Sequence, residues 1–223
     1  MMTINGGSFV CTATEAVVFG QPAAAAVGDA VAARGFARAF IIGSATLATQ
    51  TDEIAAVERA LGAAHAGTFT GIGAHVPRAD VIRAAHAALA AGADVIIAVG
   101  GGSVQDAAKI VPLAIKHGWQ RIEDFDRFTI QVTEAGAMVK PVFDGPDVPV
   151  IAVPTTLSGG EFNPLSGATD ERVPVKQPYE HRRMAPAVVV LDPAITRHTP
   201  EWLFLSTGVR ALDHAIETLQ SFL

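Results

Sequence analysis

The stretch DVIIAVGGGSVQDAAK, Asp94–Lys109, constrains the fold more than any other part of the chain. The apolar run Asp94–Val99 predicts a strand buried on both faces, three glycines follow it, and Ser103–His117 has the spacing of a helix. A strand that passes through a glycine turn straight into a helix belongs to an α/β sheet. The first-turn amides of such a helix have no intrahelical acceptors and lie at the positive end of its dipole. Glycines let an anion approach that backbone, so the turn predicts a phosphate-bearing ligand, with Ser103 as a further donor. The spacing matches neither GxGxxG nor GxxxxGK[ST]. A local role stays open beside the ligand: Ser103 and Asp106 stand at the S-x-x-D capping spacing, and capping and anion binding can coexist.

The rest of the chain repeats the strand-then-helix unit. Ala16–Gly20 predicts a strand, Pro22–Arg34 an alanine-rich helix with proline near its first turn, and Ala37–Gly43 a buried strand. Thr51–Ala64 predicts a helix with Asp52 and Glu53 at its positive end, Thr68–Ile72 a third strand and Pro77–Ala91 a third helix. With the glycine-turn unit, strand and helix alternate four times, the pattern of a parallel sheet with helices on both faces. Gly118–Asp147, with Trp119, Phe125, Phe128 and Gly145-Pro146, breaks the pattern and predicts an irregular excursion or a short hairpin. Val148–Val153 resumes as a strand and runs into Pro154-Thr155-Thr156-Leu157-Ser158-Gly159-Gly160-Glu161. These small residues would lie at the carboxyl edge of the sheet, where open α/β folds bind ligands. Ser166–Thr169 and Val173–Val175 predict a small hairpin, Ala187–Leu191 a last strand and Pro200–Phe222 a long helix.

Composition limits the partners. The 223 residues are 50% hydrophobic, enough for one or two domains with a core, and the net charge is −6 without Lys/Arg clusters, which argues against nucleic acid and anionic membranes. No apolar run approaches the roughly 20 residues of a membrane span, and MMTINGGSFV lacks the features of a secretory signal. Cys11 is the only cysteine, so an internal disulfide is excluded and the expected compartment is the cytoplasm.

Several side chains admit both a local and a functional reading. Thr155, Thr156 and Ser158 taken alone are loop hydroxyls bonded to nearby backbone, and their place on the sheet edge is what argues for a site. Ser44 follows the second strand, where dinucleotide folds often carry an acid for the ribose. A serine does not repel a 2′-phosphate, so both NAD and NADP stay open. On the last helix, Leu205, Val209, Leu212, Ile216 and Leu219 share one stripe, with Arg210, His214, Glu217 and Ser221 opposite and Asp213 beside them. That polar face either meets solvent or lines a site.

GGGSVQDAAK, PTTLSGGEFN, LDPAITRHTP and GVRALDHAIE, in this order, resemble the iron-containing (group III) alcohol dehydrogenase family of the dehydroquinate synthase-like fold, and its maleylacetate reductase branch most of all. The resemblance implies an NAD(P)-dependent oxidoreductase that transfers hydride to or from an alcohol, a carbonyl or a maleylacetate-like keto acid. It implies a Rossmann-like dinucleotide-binding α/β domain over residues 1–193 and the start of an all-α domain over 194–223, the N-terminal part of a longer enzyme. Its partners would be a small-molecule substrate and, at full length, a second copy in a homo-oligomer, a dimer. Carried over by motif, Gly100, Gly101, Gly102 and Ser103 would hold the pyrophosphate, and Thr155, Thr156 and Ser158 would line the adenosine or nicotinamide portion. His214 and Arg210 would be the catalytic pair, relaying a proton and supplying charge. His214 also matches a histidine that ligates iron or zinc in the family. The aspartate expected four residues earlier is Arg210, a permanent cation with no lone pair for a metal. Two alternatives stay open: a catalytically silent nucleotide-binding fragment, and a dehydroquinate synthase-type lyase, which the lack of evident basic phosphate-binding residues disfavours.

Overall fold

Six parallel strands make the central sheet of the computed structural model, which describes residues 13–133 and 136–220, the side chains of 219 and 220 excepted. In chain order the elements are β1 (Ala16–Phe19), α1 (Ala23–Arg34), β2 (Ala39–Gly43), α2 (Ala45–Gln50), α3 (Glu53–Leu61), β3 (His65–Phe69), α4 (Arg78–Ala90), β4 (Val95–Gly100) and α5 (Gly102–His117). The hairpin β5 (Gln131–Val132) and β6 (Met138–Val139) comes next, followed by β7 (Val150–Pro154). A second hairpin, β8 (Leu165–Asp170) and β9 (Val175–Glu180), precedes β10 (Val188–Leu191) and α6 (Glu201–Gln220). The sheet order is β1-β10-β7-β4-β2-β3.

The strands are apolar throughout because both faces are covered. Phe40, Ile42, Ile96 and Ala98 point into a core shared with α4 and α5, whereas Ala39, Ile41, Val95, Ile97 and Val99 point into one shared with α1 and α3. Each fully buried Val or Ile contributes about 1.5–3 kcal/mol, so the alternation ties both helical layers to one sheet. The chain runs from β2 outward to β3 and returns on the other side of β2 to form β4. The crevice of an open α/β sheet lies at such a reversal, here between the carboxyl ends of β2 and β4, where the Ser44 amide donates to Val99 O at 2.9 Å.

Four local expectations need correction. The third strand is His65–Phe69, pairing with Ala39–Ile42, and Thr70 onward is already loop. The expected helix Thr51–Ala64 is α3 alone, ended at Gly62 and followed by a 3-10 turn, and the six-residue α2 before it is too short to show a period. The second strand of the small hairpin is β9, because Asp170 accepts from the Arg172 amide at 3.0 Å and closes the turn before Val175. The last helix is described as far as Gln220, so Ser221 and Phe222 lie outside the described residues, as does Cys11.

The excursion after α5 contains both of its expected forms, a 3-10 stretch over Ile122–Phe128 and the β5–β6 hairpin. Trp119, Phe125 and Phe128 pack on the α4/α5 core, the Trp119 and Phe125 rings 4.2 Å apart. The fully buried Arg78 ties this segment to the β8–β9 hairpin. Its Nη1 lies 2.7 Å from Asp126 Oδ1 and 3.1 Å from Asp170 Oδ2 and donates to Ile122 O at 2.9 Å, while its Nη2 donates to Gln177. Among the described residues no helix is long and apolar enough to cross a membrane.

Candidate functional site

A cleft of about 610 Å³ opens at the crevice between β2 and β4. Ser44 forms one end, the loop Gly73–Ala74 one side, and Gly101, Gly102 and Ser103 the floor at the start of α5. Thr156 and Ser158 line the wall after β7, and Thr207, Arg210 and His214 of α6 form the roof.

The three glycines have different tasks. Gly100 has φ +156 and lies beneath the floor: a Cβ there would stand 2.8 Å from Val104 Cγ2 and 3.3 Å from Ser44 Cβ. Its carbonyl accepts from the Thr155 amide at 3.1 Å and from the buried Gln105 side chain at 3.0 Å. A Cβ on Gly101 would approach Thr156 Cγ2 to 3.0 Å, so this glycine lets the β7 loop close over the turn. Gly102 faces the cleft with Ser158 Oγ 3.5 Å from its Cβ direction.

The S-x-x-D capping arrangement does not form. The helix starts at Gly102, one residue before Ser103, with Gly101 as its N-cap and no side chain capping it. Ser103 Oγ instead accepts from the His75 amide at 3.2 Å, and Asp106 pairs with Lys176 at 2.7 Å. The first amides of a 16-residue helix therefore face the cleft without a side-chain acceptor, the arrangement that favours an anion. The loop on the far side is strained: His75 and Val76 both have φ of 61°, a region that a β-branched residue rarely adopts. Thr169 holds it in place, its hydroxyl donating to His75 O and its amide to Val76 O, each at 2.7 Å.

Of the residues expected to contact a cofactor, Ser44, Gly101, Gly102, Ser103, Thr156 and Ser158 line the cleft. Thr155 is buried behind it, and its carbonyl accepts from Thr199 Oγ1 at 2.7 Å, which docks the entry to α6. Arg210 and His214 also line the cleft, so the polar face of α6 borders the site while its side chains stay half or more exposed, Arg210 at 62% and His214 at 51%. The apolar stripe is exposed as well, with Leu205 at 59% and Val209 at 67%; the Leu219 side chain lies outside the described residues. Thr207 fixes this orientation by accepting from the Leu157 amide at 3.1 Å.

His214 is poorly placed for a metal. Arg210 Nε donates to its Nε2 at 3.1 Å, and its Nδ1 is 3.5 Å from Glu217 Oε2. A guanidinium occupies the direction in which an ion would bind, and among the described residues no three His, Cys, Asp or Glu side chains are grouped to hold one. The residues present do not fit iron or zinc.

One lysine of the cleft and one behind it carried little sequence signal. Lys176 reaches the cleft from β9, with a neighbour, Asp106, that is 70 residues away in sequence. Lys109 is buried on α5, where the D-x-x-K spacing from Asp106 was the only hint; burial pushes its amine down to about 8, against the pull of Asp106 and Glu161. Burial also raises the carboxyl of Glu161, whose Oε2 has no hydrogen-bond partner.

The profile of the family described as iron-containing alcohol dehydrogenase matches residues 14–193. Dehydrogenase ALT3 of Alternaria alternata is 40% identical over 186 residues, 83% of this chain and 47% of that protein. A maleylacetate reductase of Sphingobium indicum is 30% identical over 206 residues, 92% of this chain and 48% of its own length. The fold matches that of sulfoacetaldehyde reductase from Bifidobacterium kashiwanohense, solved in complex with NAD+, with a TM-score of 0.79 at 23% identity over 95% of this chain and 53% of that one. The chain spans about half the length of these relatives.

Proposed function

The chain belongs to the iron-containing alcohol dehydrogenase family, and from that premise we propose that it is the nucleotide-binding part of an NAD(P)-dependent oxidoreductase acting on an alcohol, a carbonyl or a maleylacetate-like keto acid. Residues 1–193 then form the dinucleotide-binding domain and 194–223 open a helical one. The observation that carries the reading is the uncapped start of α5, which opens into a cofactor-sized cleft at the reversal of the strand order.

When bound, the nicotinamide supplies the hydride chemistry. In this reading the amides of Gly102 and Ser103 donate to the pyrophosphate, and the hydroxyls of Thr156 and Ser158 contact the cofactor from the opposite wall. Gly100 and Thr155 act one layer behind, setting the separation of the two walls through their mutual hydrogen bond. Ser44 brings no charge to the ribose end, so neither NAD nor NADP is repelled there. Arg210 stabilises negative charge developing on the substrate oxygen, and His214 holds a proton on Nδ1 beside Glu217 while its Nε2 accepts from Arg210. No step is assigned to a metal.

The test is a titration with NADH and NADPH followed by nicotinamide fluorescence, paired with a hydride-transfer assay over short alcohols and keto acids. Saturable binding supports the reading, and no binding at millimolar nucleotide overturns it. Binding without turnover by the full-length polypeptide would identify a silent nucleotide-binding protein instead. Sedimentation of the full-length polypeptide tests the homodimer.

A further inference from the structure

We propose that Lys109 is a positioning residue for the nucleotide, clamping segment 160–165 to α5 so that the two walls of the cleft keep a fixed separation. The inference rests on the nucleotide reading above. Lys109 is 1% exposed and lies two turns into α5, the helix whose first turn is the cleft floor. Its Nζ donates to Gly160 O at 2.8 Å, to Asn163 Oδ1 at 3.3 Å and to Leu165 O. Asn163 Oδ1 also accepts from the Leu165 amide at 3.0 Å, so one ammonium gathers a whole segment. Gly160 lines the cleft beside Ser158.

An ammonium has three N–H donors and no acceptor, and here three acceptors use them. The charged groups facing it are Asp106 on its own helix, with Oδ1 at 3.7 Å, Glu161 on the 3-10 turn Gly160–Phe162, and Lys176 on β9. The Asp106 carboxylate makes only a long ion pair, and the nearer oxygens are the carbonyls of Gly160, Asn163 and Leu165, so the buried charge is held mainly by carbonyl oxygens. A neutral amine offers only two N–H groups, and one of the three acceptors then loses its donor. That loss occurs as pH rises through about 8, to which burial lowers the amine. The effect on global stability has the opposite sign. Between that pH and the ordinary lysine value the unfolded chain binds the extra proton, so this group makes folding more favourable as pH rises. Tightness of the clamp and stability of the fold therefore move in opposite directions.

NADH titrations from pH 6.5 to 9.0 on the wild type and Lys109→Met, with hydrogen exchange of segment 160–165 at pH 7, test the proposal. Wild-type affinity should fall roughly tenfold between pH 7 and pH 9, the worth of one charge-assisted hydrogen bond. Lys109→Met should bind roughly tenfold more weakly at pH 7 with a flat profile, and should lose exchange protection in 160–165 but not in β4 or β7. If Lys109→Met fails to fold, Asn163→Ala, which removes one acceptor and the Leu165 link, should weaken binding while the wild-type pH profile persists. An unchanged affinity and pH profile in Lys109→Met, or an Asn163→Ala variant that binds as tightly as wild type, overturns the clamp alone. A wild type that binds no NADH at any pH overturns the nucleotide reading and the clamp with it.

Discussion

Gly102→Ala separates the architecture of the glycine turn from its function. A methyl on Gly102 would meet only Ser158 Oγ, at 3.5 Å, an ordinary contact, whereas the same change at Gly100 would collide with Val104 at 2.8 Å. Gly102 is also the first residue of α5, where alanine is well tolerated, so the folded state should be unchanged or up to about 1 kcal/mol more stable. The methyl enters the space in front of the first amides, and each charge-assisted hydrogen bond there is worth about 1.5–3 kcal/mol. Displacing one of them weakens nucleotide binding by roughly ten- to a hundredfold. Urea unfolding and calorimetric titration with NADH on the same preparations read both quantities. A Gly102→Ala protein of wild-type stability that binds NADH with wild-type affinity would refute the pyrophosphate cradle.

Other expectations concern different parts of the structure. Arg78→Met removes one of the two guanidinium groups on the buried Asp170, the other being that of Arg172, together with the bonds to Ile122 O, Asp126 and Gln177, and should lower unfolding stability by about 1–3 kcal/mol in urea. The Arg172 hydrogen bond holds the carboxyl of Asp170 down at about 2, so its contribution to stability is complete above the ordinary aspartate range. That contribution should fade as pH drops from about 4 toward 2, and Asp170→Asn should flatten the acid limb of a thermal-melt series. Thr207→Val removes the acceptor of the Leu157 amide and should cost about 1 kcal/mol while loosening α6, seen as faster exchange over its first turns. Arg210→Gln in the full-length enzyme should lower kcat by about 10²-fold with NADH affinity retained, and wild-type turnover should survive chelation. Activity lost on chelation, with stoichiometric metal bound, would show that the guanidinium does not take the metal's place.

The parts of the fold that were legible in the sequence depend on near neighbours. Val95–Val99 is apolar at every position because both faces are covered, and that run alone marks an interior strand. The Gly100–Gly102 turn announces itself because the chain must pass from strand to helix within three residues. What stayed illegible depends on partners far along the chain. Nothing next to Arg78 in the sequence marks it as buried, because its partner Asp170 lies 92 positions later. Lys109 closes the DVIIAVGGGSVQDAAK stretch with nothing beside it in sequence to mark it as buried, yet Gly160, Asn163 and Leu165 close over it. The S-x-x-D spacing was misleading for a related reason: capping depends on where the helix begins, and it begins at Gly102 with Gly101 as the N-cap, ahead of Ser103.

The α6 helix shows where the division lies. From sequence alone its two faces can be assigned, because 3.6-residue periodicity puts Arg210 and His214 on one side and Leu205, Val209, Leu212 and Ile216 on the other. Which residues meet the sheet edge is decided by the Thr207 and Thr199 hydrogen bonds to the loop after β7, and these set Arg210 and His214 along the cleft. The sequence by itself determined the layered α/β sheet, the glycine turn and the residue types available for a site, because these follow from local sterics and the burial of apolar runs. Only the tertiary structure decided that Ser44, Gly102, Ser158 and Arg210 share one cleft, because strand order and helix docking join residues whose separation along the chain carries no record of their contact.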